Sequence, residues 1–312
     1  MSNSRVLIIG GTGLLGKALI DTCPISVDLS ITYLRDCWQG VFRIPAYSLD
    51  VTNKEDLSRV FREARPTVVV HAGGMNSVDL AEQNQTIARL VNVDGTQNII
   101  ELCHQYHARM IYASSNAVYD GNHPPYSEDS IRLPVNYYGR LKVQAENLVM
   151  ASGLDYIIVR AILMYGWHFP QSRPNWVTTW IRTLGERRPV LVVNDRYSQP
   201  LFAEDCAVVI WRAIERNRTD VYNVAGPDRL SLYEFAVQTA QVMELEEELI
   251  QPVASSYFSH IAPRPVDTSF TSLKVQAELG VLPRGVVTGL RYMKETRPLI
   301  GTGELQKGLY TL

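Results

Sequence analysis

The feature that most constrains this chain is a short apolar run, Val6-Leu7-Ile8-Ile9, that ends in Gly10-Gly11-Thr12-Gly13-Leu14-Leu15-Gly16. Such a run, closed by glycine, reads as a strand buried on both faces, the kind found in parallel sheets. Glycines at 10, 13 and 16 let the backbone turn tightly into a helix, whose first N–H groups favour an anion. Strand, glycine turn and helix in this order can cradle a dinucleotide pyrophosphate. The expected contacts are Gly10, Thr12, Gly13, Leu14, Leu15 and Gly16. A glycine turn can also serve packing alone, so the motif calls for a second signal.

That signal is Tyr138-Gly139-Arg140-Leu141-Lys142, about 120 residues later. Residues four apart share one face of a helix, so Tyr138 and Lys142 point together. A free phenol has a pKa of about 10, and a neighbouring ammonium is expected to lower it toward useful acidity. Tyr137 lacks this partner, because four residues on from it stands Leu141. Ser114-Ser115 closes a predicted strand, and Ser115 is the hydroxyl expected to hold a substrate carbonyl. Ser115, Tyr138 and Lys142 are thus the candidate catalytic residues, and the two motifs together imply hydride chemistry on a nicotinamide cofactor. Tyr138 and Lys142 would also contact that cofactor.

The remaining cofactor contacts follow from strand ends. The second strand is expected over Leu29 to Leu34. An acidic residue at its end would bind ribose hydroxyls, but the position nearest that role is Leu34, and Arg35 follows. Arg35 could pair with a 2′-phosphate, which favours NADP(H) over NAD(H); a shift of one residue would hand the role to Asp36. Asp50 and Val51 are expected beside the adenine, with capping of the next helix as the alternative for Asp50. Ala72, Gly73 and Gly74, after the third strand, are expected to line the same crevice.

The rest of the first half alternates in the same way. Thr52-Asn53-Lys54-Glu55 reads as a capping box opening a helix to about Ala64. Strands are predicted at Thr67 to Val70, Arg109 to Ala113 and Tyr156 to Arg160. Helices are predicted at Thr86 to Tyr106 and Asn136 to Ala151. Repeated strand–helix units imply an α/β fold, a doubly wound parallel sheet of Rossmann type over residues 1–165. A strand near 221–225 is expected to return to it. Prolines and tryptophans then mark a smaller, mixed substrate lobe over 166–290. In it, Ser231-Leu232-Tyr233-Glu234 is a capping box for a helix to about Met243, and a short helix ends near Gly280. Residues 291–312 read as a polar tail, disordered or forming a homodimer contact.

Composition excludes several classes. Among 312 residues, Lys and Arg number 30 against 32 Asp and Glu, so there is no basic footprint for nucleic acid. No apolar run reaches the roughly 18 residues that cross a bilayer, and no signal peptide is evident. Four scattered cysteines fit a reduced, cytoplasmic protein. His104 and His107 have no further ligands within reach, so no metal is expected. Trp167, Trp176 and Trp180 could stack on a nucleotide base or pack the lobe.

At these residues the chain resembles the extended short-chain dehydrogenase/reductase superfamily, and within it the dTDP-4-dehydrorhamnose reductase group. The resemblance rests on the glycine turn, His71-Ala72-Gly73-Gly74, Ser114-Ser115-Asn116-Ala117-Val118-Tyr119, Tyr138 to Lys142 with Glu146, and Arg264-Pro265. It implies reduction of the keto group of a nucleotide-linked sugar. Tyr138 would give the proton, Lys142 would tune it, Ser115 and Asn116 would contact substrate, and Arg264 could bind its diphosphate. The group usually has Thr-Asp-Tyr-Val-Phe where this chain has Ser115-Asn116-Ala117-Val118-Tyr119. Two other readings stand beside it: an epimerase or dehydratase that retains NAD, and a regulatory subunit that binds a dinucleotide without turnover.

Overall fold

The computed structural model describes residues 4–35, 41–258 and 262–296. Six strands come first, with described helices between each successive pair except β2 and β3: β1 (Ser4–Ile9), β2 (Val27–Tyr33), β3 (Ala46–Ser48), β4 (Val68–His71), β5 (Arg109–Ser115) and β6 (Tyr156–Ala161). The strand Asp220–Val224 returns to pair with β6, completing a seven-stranded sheet. Its order is Asp220–Val224, β6, β5, β4, β1, β2, β3. Every pairing within it is parallel.

The apolar runs explain the sheet. Val6, Leu7, Ile8 and Ile9 are at most 1% exposed. Side chains alternate along a strand. Val6 and Ile8 therefore enter one packed layer and Leu7 and Ile9 the layer on the opposite face. Winding reverses between β1 and β4, which pair with Ile8 opposite Val70. Ligands of such sheets lie in the crevice at the carboxyl edge where the order reverses. Here that edge carries Gly10 after β1 and Ala72 after β4.

A separate apolar cluster gathers Tyr165, Trp180, Phe235, Leu290 and Met293. The helix Leu232–Met243 opens on the expected capping box: Ser231 Oγ accepts from the Glu234 N–H and Glu234 Oε2 from the Ser231 N–H. The helix Leu273–Leu279 ends at Gly280 as the sequence predicts.

Three boundaries differ from the sequence reading. The helix after β3 is capped by Asn53, whose side chain accepts from the N–H groups of Glu55 and Asp56. Thr52 is already committed, since its N–H and hydroxyl both donate to Asp50 Oδ1. The long helix ending at Tyr106 starts at Gln85 and passes through a π-helical turn, Leu90–Asp94. The helix Val286–Glu295 carries order past Arg291, because Met293 on it is fully buried. The remaining tail residues, 297–312, lie outside the described residues. No described helix is long and apolar enough to cross a membrane.

Candidate active site

The glycines of the turn do different jobs. Gly10 has φ +87°, and a Cβ there would lie 2.7 Å from the Gly73 Cα, so the loops after β1 and β4 approach only as glycines. A Cβ on Gly16 would stand 2.5 Å from the carbonyl oxygens of Gly10 and Gly11. Gly13 is unlike both. Its φ of −76° suits any residue, and a Cβ there would meet only the Gly10 carbonyl, at 3.4 Å. No side chain caps the helix Leu14–Asp21 that Gly13 opens. The orphan N–H groups at that helix start face a cleft of about 820 Å³ lined by Thr12, Gly13, Leu14, Leu15 and Gly16. This is a cradle whose one unconstrained glycine borders open space.

The same cleft is walled by Leu34 and Arg35 from the end of β2, by Ala72, Gly73 and Gly74 after β4, and by Ser114, Tyr138 and Lys142. The structure thus brings most of the expected cofactor contacts to one crevice. Asp50 and Val51 are not in its wall. Asp50 is held in a turn by Thr52, and Val51 packs against Gly95, where a Cβ would come within 2.8 Å of Val51 Cγ2. Asp36 lies outside the described residues.

Tyr138 and Lys142 sit on the helix Tyr137–Ala151, capped by Asn136, which accepts from the Gly139 N–H at 2.8 Å. A Cβ on Gly139 would lie 2.1 Å from the Ala117 carbonyl. Gly139 therefore lets this helix press on the loop after β5, and that approach places Tyr138 beside Ser115. The serine hydroxyl is near enough to oppose the rise of the phenol's pKa. Ser115 Oγ also accepts from the Ala117 N–H and donates to Asn116 Oδ1, both at 3.2 Å. Ser114 is not interchangeable with it, because Ser114 Oγ donates to buried Glu146 Oε1 at 2.5 Å.

The electrostatics depart from expectation. Burial pushes the Tyr138 phenol up to about 12, opposed by the Ser115 hydrogen bond. Burial also drives the Lys142 ammonium down to about 8, against the pull of Glu146. Lys142 Nζ lies 5.8 Å from the centre of the Tyr138 ring. It donates instead to the Ala113 carbonyl at 2.8 Å and the Tyr112 hydroxyl at 3.2 Å. Desolvation thus outweighs the cation in setting the phenol's acidity, and Tyr138 stays a neutral proton donor throughout the physiological range.

Glu146, fully buried, anchors the underside of the site. It accepts from Arg160 Nη2 at 2.8 Å and Arg132 Nη1 at 2.9 Å as well as from Ser114. Ser115, Asn116 and Arg264, all expected at the substrate, are not in the cleft wall, where Ser114 and Tyr138 stand. Asn116 Nδ2 donates to Thr268 Oγ1 at 2.6 Å. The Arg264 guanidinium is occupied by Asp79 Oδ2 at 2.7 Å and the Ala262 carbonyl at 3.2 Å.

Sequence reasoning missed other cleft residues. Asn92, on the π-helical turn, grips Met75 through both its N–H (2.9 Å) and its carbonyl (3.0 Å). An extra residue in one turn leaves no trace in helical periodicity, though π turns recur at functional sites. Gln171 to Trp176 close the far wall. Of the three tryptophans, Trp180 is buried in the second cluster and Trp167 Nε1 donates to the Met293 carbonyl. Only Trp176, 52% exposed, faces the cleft. His104 Nε2 lies 2.8 Å from the Ser152 carbonyl oxygen.

A helix-borne Tyr-x-x-x-Lys meeting a serine-bearing strand end, above a doubly wound parallel sheet, is the arrangement of the extended short-chain dehydrogenases/reductases, and this chain is one of them. More particularly, it belongs to the RmlD substrate binding domain family, whose model matches residues 4–296. It is 27% identical to the dTDP-4-dehydrorhamnose reductase of Aggregatibacter actinomycetemcomitans, over 90% of this chain and 95% of that protein. It is 25% identical to methionine adenosyltransferase 2 subunit beta of Xenopus laevis, over 87% of this chain and 81% of that one. Among solved structures, dTDP-4-dehydrorhamnose reductase from Bacillus anthracis, in complex with NADP, superposes with a TM-score of 0.83 at 26% identity. The match covers 94% of this chain and 99% of that one.

Proposed function

We propose that this protein reduces the C4 keto group of a nucleotide-linked deoxysugar, the reaction its reductase relatives' names indicate for them, and that NADPH supplies the hydride, in keeping with the NADP complex of the Bacillus anthracis reductase. One observation carries the reading: a single cleft runs from an open glycine cradle to a buried phenol paired with a serine. The charged residues in its wall are Arg35, Lys142 and Arg173, with no Asp or Glu among the described residues. That balance suits a polyanionic ligand.

The residues fit the cofactor. The uncapped helix start at Leu14 and Leu15 would take the pyrophosphate, Arg35 a 2′-phosphate, and Lys142 the nicotinamide ribose. Bound there, the reduced nicotinamide supplies the hydride. Ser115 holds the keto oxygen. Tyr138 gives that oxygen a proton, and its own high pKa keeps the proton available until charge develops on the substrate. The Lys142 ammonium stabilises the phenolate left behind. The lack of any acid–base carboxylate in the described wall disfavours a dehydratase.

The likeness to the methionine adenosyltransferase subunits supports a second reading, a dinucleotide-binding regulatory subunit of a partner enzyme. We place either activity in the cytoplasm, in keeping with the free thiols of Cys23, Cys103 and Cys206 among the described residues. A thermal-shift screen with NADPH, NADH and dTDP-, UDP- and GDP-sugars tests the reading. Ligands of the native state raise its melting temperature, and the expected ranking puts NADPH above NADH. No shift with either dinucleotide refutes it.

A further inference from the structure

Of the three cations in the cleft wall, Arg35 and Lys142 have tasks in the proposed reaction and Arg173 has none. Arg173 lies in the stretch that crosses from Gly166 to the helix Trp176–Gly185. Two hydrogen bonds fix this stretch over the cleft. Ser172 Oγ donates to the Thr12 carbonyl of the glycine turn at 2.5 Å. Asn175 Nδ2 donates to the Gly166 carbonyl at 2.7 Å, and its Oδ1 caps the helix through the Thr178 N–H. Between these two anchors stands Arg173, exposed and in the wall of the cleft.

Its guanidinium is barely engaged. Among the described residues its one hydrogen bond is to Asn76 Oδ1, at 3.4 Å and to a neutral acceptor. No carboxylate among the described residues pairs with it. Arg264 contrasts with it, being held by Asp79 at 2.7 Å. An arginine anchored one residue from the phosphate turn, with most of its five donors unused, matches the planar, bidentate recognition of phosphate oxygens.

We propose that Arg173 is a diphosphate-binding residue of this cleft and that it fills the part the Arg264 position does not. The proposal rests on the reading of the cleft as a site for a dinucleotide and a nucleotide sugar. Both ligands carry a diphosphate, and the shared chemistry is what Arg173 recognises.

The test is isothermal titration of the full-length protein with NADPH alone and with dTDP alone, comparing wild type, Arg173→Ala, Arg173→Lys and Arg264→Ala. Arg173→Ala is expected to weaken one of the two ligands by about ten- to a hundredfold, the scale of a lost charge-assisted contact. Its melting temperature should match wild type, since the side chain is exposed. Arg173→Lys should recover part of the loss, and Arg264→Ala should leave both affinities within about twofold of wild type. A loss confined to NADPH assigns Arg173 to the cofactor pyrophosphate; a loss confined to dTDP assigns it to the sugar nucleotide. Wild-type affinity of Arg173→Ala for both ligands overturns the proposal. Wild-type protein that binds neither ligand overturns the cleft's reading, and the proposal with it.

Discussion

Replacing Gly13 by alanine separates a glycine kept for ligand approach from one kept for packing. The folded state tolerates the change: φ is −76°, and the new Cβ meets only the Gly10 carbonyl at 3.4 Å. Two small stability effects oppose each other. Fewer unfolded conformations stabilise by roughly 0.4–1 kcal/mol, and alanine in place of glycine at an N-cap costs roughly 0.5–1 kcal/mol. The net lies near zero, a melting shift of no more than about 3 °C. Binding is different, because Gly13 lines the cleft beside Leu14 and Leu15, and a methyl group there takes up space that a phosphate approaching the helix start would need. Losing one hydrogen bond to a charged phosphate costs about 1.5–3 kcal/mol, or about ten- to a hundredfold in Kd. NADPH titration and thermal melting of the same preparation report both quantities. Gly16→Ala is the contrast: its Cβ would sit 2.5 Å from two backbone oxygens, and it should fail on stability first. A Gly13→Ala protein that binds NADPH like wild type, or that melts as low as Gly16→Ala, refutes the argument.

Other consequences follow from the same contacts. Ser115→Ala should lower kcat by about a hundredfold with little change in melting, whereas Ser114→Ala should act on stability through Glu146; the reverse pattern would exchange their roles. Glu146→Gln leaves Arg160, 2% exposed, without its charge partner, and denaturant titration should show a loss of about 3–5 kcal/mol. Lys142, with its pKa lowered to about 8, is charged in the free protein below that pH and neutral above it. NADPH affinity should therefore fall as pH rises through about 8, and Lys142→Met should bind weakly with no such dependence. A wild-type profile that stays flat from pH 7 to 9.5 would contradict this.

The sheet was legible because its strands are nearly uninterrupted apolar runs and a buried parallel strand has few other sequence signatures. Tyr138 and Lys142 were legible because helical spacing alone makes them neighbours. Asp50, Asn116 and Arg264 stand outside the cleft wall for a common reason. Each is a polar or charged group that a local or tertiary partner claimed first: Thr52, Thr268 and Asp79 respectively. Spacing does not reveal such competition. Arg173 escaped notice, and Trp176 was not told apart from Trp167 and Trp180, because the chain returns to the cleft after a change of direction that no periodicity encodes. The acidity of Tyr138 was misjudged because a pairwise argument sees the cation and not the water lost on burial.

In the proposed reaction Tyr138 protonates a substrate oxygen while hydride is delivered beside it. The most direct measurement is the rate of NADPH consumption by Tyr138→Phe and wild-type protein with a dTDP-linked 4-keto-6-deoxysugar, alongside the Kd of each ligand. Turnover by wild type, and a loss of about a hundred- to ten-thousandfold in the variant with both affinities retained, is the predicted result. Equal rates for the two proteins would contradict it.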